Sequence, residues 1–238
     1  MNAHTTGRML TVLIRLILLA PLFWAPFLHA QGDDADPLIG FNRGIHKFNV
    51  TLDTYIMKPV ATGYDNVVPE VAKRGVSNFF SNLGDVNVLV NNLLQLKFKN
   101  ALQDSGRLVV NTTIGIGGLI DVATGMGLEK HDEDFGQTLG YWGVGPGPYV
   151  ELPLLGSFTV RDAVGYVPDY LLNPVSWIKD DETRYGLIAL DAIDTRRSLF
   201  AAEDLISGDE YIFIRDAYLQ RREYLVNDGV VYDEWDDF

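Results

Sequence analysis

The chain has 238 residues, 47% of them apolar and 21% charged, with no cysteine and a formal net charge of −13. Those values fit one medium domain with a greasy tilt, and they exclude disulfides, thiolate metal sites and a cysteine nucleophile. So acidic a chain also lacks the basic footprint needed for nucleic acid or for electrostatic docking on an anionic leaflet, so any membrane contact has to be mainly hydrophobic.

Residues 1–30 read as a secretory signal peptide: Arg8 and Arg15 precede an apolar run from Leu16 to Leu28, and Ala30 stands before Gln31. An uncleaved anchor from Met9 to Leu28 is the alternative, but Pro21 and Pro26 suit the end of a leader better than a spanning helix. Without the leader, 17 basic face 32 acidic residues, a net −15. No later uncharged apolar run reaches the ~18 residues of a spanning helix. Residues 31–35 are an acidic spacer.

Asp36 is a predicted N-cap, with Pro37 at the first helical position. Phe41, Ile45, Phe48, Leu52 and Tyr55 then recur at spacings of four, three, four and three, a helical stripe. Asn42, Arg43, His46, Lys47, Asn49 and Asp53 fall on the other faces, and Pro59 is the expected end. Alone, such a stripe reads as an ordinary core-facing helix.

A second helix opens at Pro69 and Glu70 and carries Val71, Phe79, Phe80 and Leu83. The segment VNVLVNNLLQLKF, Val86 to Phe98, is apolar almost all round but studded with Asn87, Asn91, Asn92 and Gln95. That pattern suits deep burial or lipid, because neutral amides are tolerated where charges are not. Combined with the first stripe, it points to a surface that touches lipid. A further helix is predicted over Asn100 to Thr113, ending near Gly115, Gly117 and Gly118, so 36–127 reads as a bundle of short helices.

From Phe135 to Gly156 the texture changes to FGQTLGYWGVGPGPYVELPLLG. Its glycines and prolines argue against a regular helix and for a shaped loop, with a short extended pair around Tyr149 to Leu152. Tyr141, Trp142 and Tyr149 give that loop an amphiphilic lining. Two helices follow, Asp181 to Leu205 and Asp209 to Val226, the second stopped by Asn227-Asp228-Gly229. Residues 229–238 form an acidic tail.

Candidate chemistry is sparse. Only His46 and His131 remain after the leader, and no G-x-S-x-G elbow accompanies them, so a hydrolase is a poor fit. His131-Asp132-Glu133-Asp134 reads as a solvated charge run rather than a cation site. GIGG at 115–118 and GVGPG at 143–147 lack a βαβ setting, so a hinge suits them better than a phosphate cradle. Arg161-Asp162 reads as a buried ion pair or a loop clamp. Arg196, Arg197, Arg215, Arg221 and Arg222 read as surface salt bridges, or else as a headgroup or partner contact. No metal and no cofactor is expected.

DPLIGFNRGIHKFN from Asp36, SNFFSNL around Phe79, NTTIGIGGLIDVA from Asn111 and FGQTLGYWGVGPGPYVELPLLGSFTVRD from Phe135 carry a family resemblance. DEYIFIRDAYLQRREYL near the end extends it over almost the whole mature chain. The chain resembles the MlaA (VacJ) proteins, outer-membrane components of the pathway that maintains lipid asymmetry in Gram-negative bacteria. The resemblance implies an all-α domain over 36–228, with short amphipathic helices ringed around a passage and an irregular Gly/Pro-rich loop. It implies a non-enzymatic component lying in the inner leaflet of the outer membrane. There it would pass mislocalised phospholipids from the outer leaflet to a soluble periplasmic carrier, in association with a trimeric porin.

By motif, Phe48 and Asn49 are expected to shape the ring, with Phe41, Asn42, Asn91 and Asn92 as further passage or ring-shaping positions. Gly143, Gly145 and Gly147 are the expected hinge of a gating loop. Many relatives carry an acylated cysteine at the mature start and this chain has none, so its apolar helix flanks or its porin are expected to hold it at the membrane. The alternatives are a soluble periplasmic lipid-binding or scaffold protein, and an envelope lipase using His46 or His131.

Overall fold

A computed structural model describes residues 36–230; the leader, the acidic spacer and residues 231–238 lie outside the described residues. Helix α1 covers Ile39–Leu52, a π-helical turn covers Asp53–Met57, and α2 covers Lys58–Val67. Pro59 therefore does not end the element. The Lys58 N–H reaches back to the Asp53 carbonyl, and this wider turn relieves the clash that proline makes with the preceding turn. Nor does Asp36 cap α1: Leu38 is the N-cap, and the Asp36 carboxylate turns instead to Asn42 and Tyr211.

The two segments expected around Phe79 and Val86 form one helix, α3, Glu70–Leu94. A turn through Leu96 (φ +61°) leads into α4, Phe98–Thr113, which packs along α3. After the short α5 (Val122–Gly125) comes α6, Phe135–Tyr141, inside the stretch expected to be irregular. Asp134 explains it, because its carboxylate accepts the Gln137 N–H and supplies the cap that offsets two internal glycines. Strands β1 (Tyr149–Leu152) and β2 (Gly156–Thr159) form the expected extended pair, antiparallel with Val150 opposite Phe158.

Helix α7 covers Val160–Leu172 and is capped by Thr159; Pro168 lies inside it and masks it in the sequence. A 3-10 turn, Pro174–Trp177, precedes α8, Asp181–Ser198. That helix stops short of Leu205; α9 (Phe200–Glu203) follows it, and α10 is Glu210–Val226 with Asp209 as cap. The domain is all-α apart from the hairpin. No described helix is long and apolar enough to cross a membrane.

Packing runs in a circuit. Helix α1 lies on β1, β2 touches α7 and α10, and α7 meets α3. Helix α3 meets α8, α8 packs on α2, and the π turn returns to α1. Helix α6 fills the corner among α3, α7 and α10.

At the α6–α7 crossing a Cβ added to Gly165 would lie 2.5 Å from the Gly136 nitrogen. Backbone cannot retreat as a side-chain tip can, so Gly165→Ala should cost about 2–3 kcal/mol and lower the melting midpoint by several degrees. Gly186 on α8 faces open space, and Gly186→Ala should instead stabilise by about 0.5–1 kcal/mol. Calorimetry on the pair checks both signs.

Candidate functional site

Burial in this domain is inverted. Among the described residues 19 polar or charged side chains are buried against seven apolar or aromatic ones, while 38 large apolar side chains are exposed. Water-soluble domains do the opposite, because each buried leucine-sized side chain gains ~1.5–3 kcal/mol. The exposed set follows helical spacing. Phe41 (55% exposed), Phe48 (50%) and Tyr55 (77%) recur every seventh residue, and Val160, Val164, Val167 and Leu171 form one face of α7. The first stripe is thus outward-facing, with Ile45 and Leu52 half-buried at its edge.

The opposite, polar face of α1 grips the hairpin. Asn42 is wholly buried; its amide donates to Asp36 Oδ1 (2.7 Å) and to the Tyr149 carbonyl (3.1 Å), and its oxygen accepts the Glu151 N–H (3.0 Å). One helical stretch along, Asn49 donates to Glu151 Oε1 (3.2 Å) and the Leu152 carbonyl (3.0 Å) and accepts the Leu154 N–H (2.9 Å). Two side-chain amides thereby satisfy the free edge of β1. Between them His46 Nδ1 sits 3.1 Å from Glu151 Oε1.

On α3, Asn91 and Asn92 are likewise fully buried. Asn91 donates to the Asn87 carbonyl (3.0 Å) and Asp169 Oδ1 (3.3 Å) and accepts from the Thr138 hydroxyl (2.8 Å). Asn92 donates to Asp104 Oδ2 on α4 (2.8 Å), and Gln95 to Glu133 (2.7 Å) and Thr138 (3.1 Å). The amides that stud the apolar segment therefore point inward, and Leu93 and Leu94 point out.

The densest charge centre joins α6, α7 and α10. Arg222 pairs with both oxygens of Asp134 and, at 2.9 Å and 3.1 Å, with those of Asp162; Tyr218 donates to Asp162 at 2.7 Å, and Arg161 Nε donates to the same carboxylate at 3.1 Å. Burial alone would raise the Asp162 carboxyl, but the Arg222 and Arg161 charges outweigh it and hold it low. Arg161-Asp162 is thus the buried pair expected. Arg222 and Arg196 are not simple surface bridges: Arg196 clamps both oxygens of Asp53 on the π turn, and both arginines tie the C-terminal helices to the rest.

Among the described residues Asp169 has no such cation in direct contact. Burial drives its carboxyl up to about 6, against hydrogen bonds from the Phe135 N–H (3.1 Å) and Asn91. Neighbouring Asp134 pushes it the same way.

The glycine-rich segment 143–147 leaves α6 between two tethers. Trp142 Nε1 donates to the Leu94 carbonyl (3.3 Å), and the Arg161 N–H donates to the Pro146 carbonyl (3.1 Å). Gly143 (φ +88°) and Gly147 (φ +66°) need backbone angles that favour glycine, while Gly145 stands in open space without one.

The acidic run diverges rather than converging. His131 faces Asp104 (2.8 Å), Asp132 pairs with Arg221, Glu133 with Lys97, and Asp134 with Arg222. Both histidines have a carboxylate partner, and among the described residues no hydroxyl nucleophile bonds to either ring.

A profile of the MlaA lipoprotein family matches residues 34–225. The chain belongs to the MlaA lipoprotein family. It is 43% identical to the intermembrane phospholipid transport system lipoprotein MlaA of Shigella flexneri, over 84% of this chain and 81% of that one. The Escherichia coli K12 protein of the same name is 42% identical over the same shares, and that of Haemophilus influenzae 35% over 82% and 80%. A solved structure described as the structural basis for maintenance of bacterial outer membrane lipid asymmetry superimposes with a TM-score of 0.72 at 40% identity, covering 81% of this chain and 99% of that one. Unlike those lipoproteins by name, this MlaA-family chain has no cysteine in its 238 residues.

Removing Arg222 takes the cation from Asp134 and one of two cations from Asp162. Arg222→Leu should cost about 3–5 kcal/mol, and Arg222→Lys should recover little of it, because a point charge cannot bind Asp134 and Asp162 together. Denaturant unfolding in detergent measures both. Asp169 gives a pH signature. Its folded value of about 6 lies above the ordinary 3.8, so the native state holds a proton that the unfolded chain has already released. Its stabilising contribution is complete below about pH 4 and lost as pH rises through about 6. Asp169→Asn should flatten the stability profile over that interval.

Proposed function

We propose that this protein is the phospholipid-handling component of an intermembrane transport system in the outer membrane. It removes mislocalised phospholipids from the outer leaflet and passes them to a periplasmic carrier, maintaining lipid asymmetry. The inverted burial carries this reading: exposed apolar side chains cost nothing where the surroundings are acyl chains, and they are a liability in water. The closed circuit of packing supports a ring around a passage, and the names of the 43% and 42% identical relatives supply the substrate. The apolar helix flanks lie in the inner leaflet beside a trimeric porin. They hold the protein there without a thioether-linked acyl chain. The reading assigns it no catalytic step.

Phe41 and Phe48 face the lipid on this reading, while Asn42, Asn49, Asn91 and Asn92 fix the ring's shape from inside. The segment at Gly143, Gly145 and Gly147 is the gate.

Deleting the gene, with any paralogue also removed, should leave phospholipid in the outer leaflet and sensitise cells to detergent; normal values for both would reject transport. Recovery of the protein in osmotic-shock fluid without detergent would instead favour a soluble periplasmic lipid-binding or scaffold protein. Gly145→Pro should keep the unfolding free energy within about 0.5 kcal/mol of wild type yet slow lipid transfer, since it stiffens a position where added side-chain atoms meet open space. Gly143→Pro should destabilise, because proline cannot adopt φ +88°.

A further inference from the structure

The turn between α3 and α4, the strap Lys130–Glu133 and the end of α10 enclose an open cavity of about 810 Å³. That size is within the ~300–1,000 Å³ common for small-molecule sites. Most of its charges are already committed. Lys97 is held by Glu133 Oε1 (2.8 Å) and Asp228, and Lys130 by Asp85. Lys99 is different: it is exposed, lines the cavity and enters no ion pair among the described residues.

Lys99 also sits in the opening turn of α4, with Phe98 and Asn100 beside it on the cavity wall. Among the described residues no side chain caps that 16-residue helix, as none caps α1, α2 or α3. Its first N–H groups have no intrahelical partner, and together with a free ammonium they favour an anion. Carboxylates share the same cavity: Asp132 on the strap and Asp228 after α10, both about half or more exposed and each bound to only one cation.

The lip is apolar. Leu96 is 67% exposed on a backbone held at φ +61°, Phe98 is 64% exposed, and Leu93, Leu94 and Leu102 continue the exposed band on either side. One open site thus combines a free cation, available carboxylates and a greasy edge joined to the apolar exterior.

We propose that this cavity seats the headgroup of a zwitterionic glycerophospholipid of the phosphoethanolamine type. The phosphate lies toward Lys99 and the start of α4, the ammonium toward Asp228 and Asp132, and the glycerol end over Leu96 and Phe98. This rests on the transport reading and names the headgroup class that it leaves open.

The full chain in a maltoside detergent is titrated with glycerophosphoethanolamine, glycerophosphate and inorganic phosphate, followed by calorimetry. Glycerophosphoethanolamine should bind best. Lys99→Glu should weaken it about tenfold or more, as expected for reversing one charge on a phosphate. Asp228→Asn should erase the preference over glycerophosphate. Inorganic phosphate binding as tightly as glycerophosphoethanolamine would show a plain anion site and overturn the proposal. So would an unchanged affinity in Lys99→Glu.

In cells, a photo-crosslinking amino acid replaces Asn100, on the cavity wall, in one variant and Leu171, on the exposed face of α7, in another, with Lys99 kept in both. Phospholipid adducts at 100 that Lys99→Glu abolishes support the seat. Adducts at 171 but not at 100 overturn it and leave transport standing; none at either position overturns the seat, and with normal asymmetry in the deletion strain it removes transport as well.

Discussion

A carboxylate taken out of water must be given a cation or several hydrogen bonds, or the fold does not form. This domain accepts that demand repeatedly. Asp162 and Asp134 share Arg222, Asp53 takes Arg196, and Asp104 takes Asn92 and His131. An unpaired buried charge costs several kcal/mol, more than the gain from hiding one leucine. The polar groups therefore claim the interior, and the apolar groups are displaced outward.

That choice suits a hydrocarbon exterior. Where the surroundings are acyl chains, no hydrophobic force pulls helices together, and close packing and polar contacts must set the geometry. The same surroundings forbid an open strand edge. The β1 edge away from β2 presents the Tyr149 carbonyl and the Glu151 N–H, and Asn42 answers both, while Asn49 takes the Leu152 carbonyl and the Leu154 N–H where the strand enters its turn. Spaced seven apart, these two amides lie on one face of α1 while Phe41 and Phe48, one residue earlier, lie on the other. One helix thus seals the hairpin with one side and offers phenylalanines with the other.

Much of this was legible. The stripe on α1, the stop at Asn227-Asp228-Gly229, the extended pair at Tyr149 and the Arg161–Asp162 pair all follow from local pattern. Three elements did not. Pro59 looked like a terminator because a π turn depends on how the next helix is held, here by Arg196 reaching across to Asp53. Helix α6 was hidden by its glycines, although Asp134 with Gln137 three residues on is a capping signal in plain view. Thr159 with Asp162 signals the start of α7 in the same way. The direction in which the α3 amides point was not legible at all, because periodicity marks opposite faces without saying which one meets water.

The absent cysteine sharpens the question of what holds the protein at a membrane in the proposed function. A single acyl chain gives only marginal, reversible binding, each buried methylene contributing ~0.8 kcal/mol. Fully burying a phenylalanine or leucine contributes ~1.5–3 kcal/mol, so five roughly half-exposed side chains such as Phe41, Phe48, Val164, Val167 and Leu171 together add several kcal/mol, a substantial part of what one chain supplies. They also do what a tether cannot. A thioether-linked lipid leaves the domain free to rotate, whereas apolar faces on α1 and α7, fixed to one another through β1 and β2, impose an orientation. Under the proposed function the tilt of the domain in the leaflet is then set by its own folded faces.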